Sequence, residues 1–250
     1  MKEQVNPHNL ARLFSEGVKR LLDLIGSSVG LLLLAPVFAV VALLIKSDSE
    51  GPVFYRGVRA GRHGIPFRMM KFRSMVQNAD KIGSSSTPDD DPRVTRTGSF
   101  LRKYKLDELP QLMNVFAGDM SLVGPRPQVL WAVERYTLEE KAVLRVRPGI
   151  TDYASLHFRN EGEILEGSKD PDKDYFEKVH PEKIRLSLEY VRNRSAWLDC
   201  KILALTLAAI VFRFDVSEPS SNSASTQQRP VHDQYSENPK LRRTDEVIQD

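Results

Sequence analysis

The chain has 250 residues, a formal net charge of +3 and one cysteine, Cys200. A single cysteine excludes a disulfide framework and is typical of a reducing compartment. The five histidines lack metal-ligand spacing, which argues against zinc chemistry, and the sequence contains neither a Walker-type nor a Rossmann-type glycine loop. This length suits one ordinary domain with appendages.

The first structured element in the sequence is an apolar segment at residues 24–45, which contains no charged side chain. Its length meets the requirement of about 20 apolar residues for crossing a bilayer core. Lys19 and Arg20 precede it and Lys46 follows it, and such charges favour the cytoplasmic side at both ends. Pro36 can kink the helix near its middle. We therefore predict a re-entrant helix that enters and leaves through one leaflet, with a plain tilted span as the alternative.

Two short strands are predicted after this segment, at residues 53–55 and 67–72, around a glycine-rich bend. Residues 75–82 then have a helix-like pattern, and residues 83–92 (GSSSTPDDDP) are typical of a loop. We expect the strands to form a small hairpin directly after the apolar helix.

Basic residues cluster in two runs that contain no acidic residue. Such clusters suit phosphates, nucleic acid or anionic lipid, although a solvated basic face has the same composition. A nucleic-acid partner is disfavoured by the three acidic residues at 89–91 and by the apolar segment. The first run contains Arg56, Arg59, Arg62, Arg68, Lys71 and Arg73, and the second contains Arg93, Arg96, Arg102, Lys103 and Lys105.

The second basic run ends at two adjacent carboxylates, Asp107 and Glu108. Neighbouring residues on a helix diverge by about 100°, so these carboxylates cannot flank a glycosidic bond from opposite sides. They can share one substrate atom or one metal ion in different roles. We expect Asp107 to be the N-cap of the next helix, whose N-terminus attracts phosphate. The structural alternative is that Asp107 only caps the helix and that Glu108 is only a favourable anion in its first turn.

A second candidate binding element is the Pro125, Arg126 and Pro127 triplet within GDMSLVGPRP. The two prolines restrict the backbone on both sides of the arginine. A guanidinium on a stiff loop suits bidentate recognition of phosphate or of a planar base. Lys71 and Arg73, in KFRSM, are predicted strand residues that are also suited to contact with an anion.

The rest of the chain is predicted to be mainly helical. Residues 196–214 form a second apolar stretch, interrupted by Asp199 and Lys201, which fits an interfacial helix anchored by Trp197 and Phe212 or equally a core helix. Beyond residue 216 the composition predicts disorder. The other predicted helices cover residues 99–105, 108–117, 131–146 and 172–193, with Pro181 starting the second half of the last of these.

Five sequence motifs occur in order along the chain. They are GPVFY (51–55), KFRSM (71–75), TRTGSFLRKYKLDELPQLMNV (95–115), GDMSLVGPRP (118–127) and RPGIT (147–151). Together they resemble the bacterial sugar transferases, the monotopic phosphoglycosyl transferases that begin polysaccharide and glycoconjugate assembly. The resemblance covers residues 19–214, and its most specific part is the pairing of LDELPQ with GDMSLVGPRP.

The resemblance implies a small, helix-rich α/β (α+β) catalytic domain on the cytoplasmic face of the bacterial inner membrane. It implies an N-terminal re-entrant membrane helix at residues 1–46, a catalytic domain at residues 47–216 with interfacial amphipathic helices, and a tail at residues 217–250. Membrane lipid is then a partner, and a homo-oligomer is an open expectation.

The implied reaction transfers a sugar 1-phosphate from a UDP-sugar to polyprenyl (undecaprenyl) phosphate and releases UMP. It is expected to be ping-pong, through an aspartyl phosphosugar on Asp107, with Mg²⁺ bound by Asp107 and Glu108. The expected substrate-binding residues are Lys71, Arg73, Arg102, Pro125, Arg126, Pro127 and Arg159.

Two departures from the family pattern affect these expectations. The family's helix commonly bends at a Ser–Pro pair, whereas this chain has Ala35 and Pro36. After RPGIT the chain continues as DYASLHFRNEGE, in which Arg159 stands in for the family's arginine. Glucose, galactose and N-acetylated amino sugars therefore all remain open. The alternative functions are a scaffold that binds anionic lipid and a glycosyltransferase that releases UDP.

Overall fold

The computed structural model describes the backbone of residues 7–212 and the side chains of residues 16–209 and 212. The predicted disordered tail at residues 217–250 lies outside this range. Within it, the chain is a mixed, helix-rich α/β fold, as predicted. It contains two small two-stranded sheets, and the second of these was not predicted from the sequence.

The N-terminal element is one long helix, α1 (Pro7–Asp48), with Pro36 inside it. Its part from Glu16 to Asp48 is long and apolar enough to cross a membrane, with a mean hydropathy of 2.8. One face carries exposed apolar side chains along most of this length, as expected of a surface that meets lipid. These side chains are Leu21, Leu22, Ile25, Val29, Leu32, Leu33, Val40, Leu43 and Leu44.

The opposite face of α1 packs against the rest of the protein near both of its ends. At the N-terminal side, Asp23 is buried and accepts hydrogen bonds from Ser121 Oγ (3.0 Å) and from the Leu122 amide (2.9 Å). At the C-terminal side, Val41 and Ile45 are buried in a cluster with Phe72 and Leu101. Polar and apolar contacts therefore attach both halves of the apolar helix to the domain.

The first sheet is the predicted hairpin, but it is longer than the sequence indicates. Strands β1 (Phe54–Ala60) and β2 (Pro66–Phe72) pair antiparallel, from Phe54 opposite Phe72 to Ala60 opposite Pro66. The second sheet pairs β3 (Ser121–Val123) with β4 (Gly149–Thr151) in parallel.

The described residues also form eight shorter α-helices, with short 3-10 and π segments between some of them. The predicted helix start at Pro181 is confirmed, since this proline lies in the first turn of α8. The helices are α2 (Arg96–Lys103), α3 (Gln111–Ala117), α4 (Leu130–Glu134), α5 (Tyr153–His157), α6 (Glu161–Ile164), α7 (Pro171–Asp174), α8 (His180–Asn193) and α9 (Ala196–Phe212).

Two predicted helices are wrong in their extent. Residues 75–82 begin with a bridge between Met75 and Val94, and only a short 3-10 helix, Ala79–Lys81, forms, because Asn78 adopts a left-handed conformation (φ 60°) that stops an α-helix. Residues 131–146 are broken between α4 and a separate 3-10 segment, Glu140–Arg145. Thr137 and Glu140 exchange side-chain and backbone hydrogen bonds there, and this capping box starts a new turn.

Helix α9 has both of the environments considered for residues 196–214. Ile202 and Ala209 are buried in the core, whereas Trp197 is 77% exposed and Phe212 is also exposed. Asp199, on the same helix, is a buried charged residue. It pairs with Lys19 (2.5 Å) and accepts a hydrogen bond from the Tyr190 hydroxyl (2.7 Å). One face of α9 is thus core and the other is an exposed apolar surface.

Candidate active site

The two adjacent carboxylates lie in a 3-10 turn, Leu106–Glu108, between α2 and α3. The prediction that Asp107 caps the next helix is wrong, because α3 has Pro110 at its N-cap and no side-chain capping hydrogen bond. Leu109 and Pro110 already have right-handed helical torsions, so the chain is helical before α3 begins. Asp107 is therefore not engaged in capping α3.

Glu108 is held by two cations from different parts of the sequence. Lys71 Nζ, from β2, lies 3.0 Å from Glu108 Oε1. The Arg126 guanidinium binds both carboxylate oxygens, with Nη1 at 3.0 Å from Oε2 and Nη2 on Oε1. Burial opposes ionisation of Glu108, but Arg126 and Lys71 outweigh it and hold its pKa well below the usual value. Glu108 is thus an ionised anchor that orients both cations.

Asp107 has a different environment, although it is the next residue in the chain. Its side chain is only 8% exposed, and Oδ2 lies 3.9 Å from Lys71 Nζ. Its Oδ1 atom is buried and has no hydrogen-bond partner in the protein. Burial raises the pKa of Asp107, and the positive charge of Lys71 only partly offsets this effect. Two neighbouring carboxylates whose pKa values are pushed apart are typical of a division of chemical roles.

A Mg²⁺ ion is compatible with this site through Asp107. The described residues contain no group of three or more His, Cys, Asp or Glu side chains that could hold a metal ion. Mg²⁺ does not need such a group, since it commonly binds one or two carboxylates together with waters and substrate phosphates. Asp107 Oδ1 can serve as such a ligand, whereas both oxygens of Glu108 are occupied by Arg126 and Lys71.

The loop that carries Arg126 is fixed by close backbone contacts between the two strands of the second sheet. The Gly149 amide donates to Pro125 O (2.9 Å), and the Gly124 amide donates to Thr151 O (2.9 Å). A Cβ atom on Gly149 would lie 2.0 Å from Gly124 N, so only glycine permits this approach. Pro125 and Pro127 are buried on either side of the arginine. The guanidinium therefore reaches Glu108 from a rigid support.

The structure brings together four of the predicted site residues, Asp107, Glu108, Lys71 and Arg126. Arg102 donates to Thr87 O (3.3 Å) and lies close enough to Asp107 to contribute to lowering its pKa, although burial dominates.

The other two predicted arginines have structural partners. Arg73 is buried and donates to the backbone oxygens of Ser49 and Glu50, which fixes the chain after α1. Arg159 donates to Ala209 O and so connects the end of α5 with α9. Arg159 donates to a backbone carbonyl, and Arg73 donates to two backbone carbonyls and to Ser49 Oγ (3.0 Å). The sequence gives no signal that separates such an arginine from one that binds a substrate.

One polar residue in this region, Gln111, is not among the site residues predicted from the sequence. It begins α3 and is completely buried, and neither of its amide atoms has a hydrogen-bond partner in the protein. The available signal was its place in the LDELPQ motif, four residues after Asp107.

These features combine a helix long and apolar enough to cross a membrane with a buried cluster of two carboxylates and two cations. A membrane-length helix packs on a small domain, and Asp107 and Glu108 lie under cations supplied by β2 and by the loop after β3. The family model described as "Bacterial sugar transferase" matches residues 14–213, and the chain belongs to this family. The resemblance found in the motifs is thereby confirmed.

Curated relatives of the chain carry related names. It is 42% identical, over 76% of its length, to the UDP-glucose:undecaprenyl-phosphate glucose-1-phosphate transferase of Escherichia coli (strain K12), and covers 40% of that protein. It is 36% identical to the UDP-N-acetylgalactosamine-undecaprenyl-phosphate N-acetylgalactosaminephosphotransferase of Aeromonas hydrophila, over 79% of this chain and 44% of the relative. The uncharacterized sugar transferase EpsL of Bacillus subtilis (strain 168) is 37% identical, over 78% of this chain and 87% of the relative. The chain thus spans about two fifths of the two larger relatives.

Proposed function

We propose that this protein transfers a sugar 1-phosphate from a UDP-sugar to undecaprenyl phosphate, or a similar polyprenyl phosphate, and releases UMP. The names of the relatives supply the two substrate classes. The observation that carries the proposal is the buried, unpartnered Oδ1 of Asp107 beside two cations that Glu108 holds in place. Such a carboxylate oxygen can act as a nucleophile towards phosphorus.

In the first step, an Asp107 carboxylate oxygen attacks the β-phosphorus, which bears the sugar. A bond forms between this oxygen and the phosphorus, and the bond from the phosphorus to the bridging oxygen breaks. UMP leaves with that oxygen and its electron pair. Repulsion between the carboxylate and the diphosphate opposes the approach, and Lys71 and Arg126 reduce it because their charges are already in place.

In the second step, an oxygen of the lipid phosphate attacks the phosphorus of the aspartyl phosphosugar. The bond between phosphorus and Asp107 breaks, and the carboxylate is regenerated. The product is a polyprenyl diphosphosugar. The donor and the acceptor react in turn with the same side chain, so the kinetics are ping-pong.

The roles of the two carboxylates differ in this mechanism. Glu108 remains ionised and orients Arg126 and Lys71, while Asp107 makes and breaks the covalent bond. Asp107 would help to hold Mg²⁺, which when bound would neutralise part of the diphosphate charge. Arg102 adds a positive charge near the same carboxylate.

We further propose that α1 enters the cytoplasmic leaflet of the inner membrane as a re-entrant helix. The helix contacts the domain from Lys19 to Ile45. A straight helix over these 26 intervals is about 39 Å long at 1.5 Å per residue. The hydrocarbon core of a bilayer is only about 30 Å thick. A helix of this length that crossed the core upright would have its ends on opposite sides of the membrane, so one extramembrane domain could not contact both ends. A shallow insertion holds the site near the phosphate of the lipid substrate.

The reaction is tested by trapping the covalent intermediate. Protein in nanodiscs is incubated with a UDP-sugar labelled in the sugar, without lipid acceptor, and then analysed for labelled protein by mass spectrometry. We expect label on Asp107 and an equivalent amount of UMP. Asp107→Asn should remain unlabelled, while the control variant Asp80→Asn, at an exposed position, should be labelled normally.

Each alternative function predicts a different outcome of this assay. Label on the Asp107→Asn protein contradicts the mechanism. In a second incubation with polyprenyl phosphate added as acceptor, release of UDP instead of UMP identifies a transferase of the sugar alone, and the absence of any nucleotide product identifies a lipid-binding scaffold. A panel of UDP-glucose, UDP-galactose and N-acetylated amino sugar donors then determines which sugar is used.

A further inference from the structure

Gln111 is a buried polar residue that the proposed mechanism does not use. Its side chain is completely buried, and both Nε2 and Oε1 lack a hydrogen-bond partner in the protein. Buried amides are nearly always hydrogen-bonded, because losing water without a replacement partner is costly. A glutamine kept in this state therefore suggests a partner that belongs to a ligand.

The packing of α3 against β2 shows where Gln111 lies. Val115 packs with Met69 in one buried cluster, and the Asn114 side chain bonds the backbone of β2 at Arg68 and Met70, both at 2.8 Å. These contacts fix the helix against the strand. Gln111 lies one turn before Val115, about 6 Å away along α3.

A step of similar length along β2 leads from Met69 to Lys71. Lys71 lies two residues after Met69, about 6.6 Å further along the same face of the strand. The chain runs from Asp107 to Val115 in the direction opposite to β2, because Lys71 contacts Asp107 while Met69 contacts Val115. Gln111 is consequently at the level of Lys71 along β2.

The backbone between Asp107 and Gln111 keeps these two residues close together. The amides of Leu109 and Leu112 donate to the carbonyls three residues earlier, so this stretch has 3-10 geometry up to the start of α3. Four residues at about 2.0 Å each separate Asp107 from Gln111 by about 8 Å along the axis. Asp107 Oδ1 is also buried and unpartnered. Unpartnered polar atoms of both residues thus lie on one short segment, whose two ends contact β2.

We propose that Gln111 is a catalytic residue of the transferase site, which donates a hydrogen bond from Nε2 to an oxygen of the phosphoryl group attacked by Asp107. This inference rests on the proposed function. Phosphoryl oxygens only accept hydrogen bonds, so an amide N–H suits them. Lys71 and Arg126 are bound to Glu108, whereas the Gln111 amide adds a donor without adding charge. A donor fixed in place before the reaction stabilises the transition state more than one that must be reoriented.

The test is the near-isosteric substitution Gln111→Met, with Gln77→Met at an exposed position as the matched control. If Gln111 serves the substrate, removing its unpartnered amide should leave the melting temperature unchanged or raise it. The single-turnover rate of UMP release should fall about 100-fold, in the range seen when one transition-state donor is removed. The KM for the UDP-sugar should change much less than kcat. The control should match the wild type in both measurements.

Three outcomes overturn the inference. A Gln111→Met protein that releases UMP at the wild-type rate shows that the amide is not used. A fall in melting temperature that accompanies the loss of rate shows that the amide stabilises the fold instead. A rise in KM with kcat unchanged shows ground-state binding only. Failure of the wild-type protein itself to release UMP refutes the proposed function, and this is distinct from all three.

Discussion

Replacing Glu108 by Gln should destabilise the protein, although the new side chain has almost the same shape. In the native site Glu108 accepts two hydrogen bonds from Arg126 and one from Lys71. Removing one partner of a buried ion pair costs about 3–5 kcal/mol. Arg126 is 25% exposed and Lys71 is 20% exposed, so solvent screens part of this loss. We therefore expect a cost of about 2–3 kcal/mol, below the range for fully buried pairs.

The melting temperature gives a direct measurement of this cost. One kcal/mol shifts the melting temperature of a domain of 150–250 residues by about 2–4 °C, so Glu108→Gln should lower it by about 4–12 °C at pH 7. Thermal unfolding of nanodisc-embedded protein, followed by tryptophan fluorescence, reports this shift. The exposed substitution Glu134→Gln serves as the control and should shift it by less than about 2 °C.

The pH dependence distinguishes a charge effect from a packing effect. The pKa of Glu108 is held well below its usual value of 4.5 in the folded protein by Arg126 and Lys71, which outweigh burial. Its stabilising contribution is therefore complete above pH 4.5 and is lost as the pH falls towards the folded pKa. The difference between wild type and Glu108→Gln should shrink over this window. A difference that is absent at pH 7, or equally large at pH 3, refutes the reasoning.

Two further predictions concern the other members of the site. Because burial raises the pKa of Asp107 above 3.8, its ionised form destabilises the fold at neutral pH. Asp107→Asn should therefore raise the melting temperature at pH 7, and the gain should disappear as the pH falls through the raised pKa towards 3.8; a lower melting temperature at pH 7 contradicts this. Arg126→Lys keeps the positive charge but cannot bind both oxygens of Glu108. The kcat for UMP release should therefore fall at least 10-fold. A rate within twofold of wild type would show that the bidentate geometry is unimportant.

The sequence predicted the parts of this fold that depend on local patterns. The hairpin follows from short apolar runs around glycines, and the start of α8 follows from Pro181. The apolar helix follows from its length and lack of charge. Residues 75–82 have an apolar spacing that fits a helix, but the left-handed Asn78 and the bridge to Val94 depend on a distant strand segment. Propensity is overridden there by tertiary contacts.

For the site, the sequence supplied the residues but not their pairing. The motifs pointed to Asp107, Glu108 and Arg126, yet nothing in them predicts that Arg126 binds Glu108 rather than Asp107. That choice depends on the close approach of Gly124 and Gly149, which places the loop. For Arg73 and Arg159 the sequence did not predict the observed contact. Each was expected to bind substrate, and each donates to a backbone carbonyl of the protein.

The ion pair between Lys19 and Asp199 has a consequence for biosynthesis. Its two partners are 180 residues apart, and the Tyr190 hydroxyl completes the contact from α8. The N-terminal helix therefore leaves the ribosome long before the side chains that cover its lysine are made. Until then the early helix must be kept from aggregation by the bilayer or by a chaperone, and the last described helix closes the fold around it.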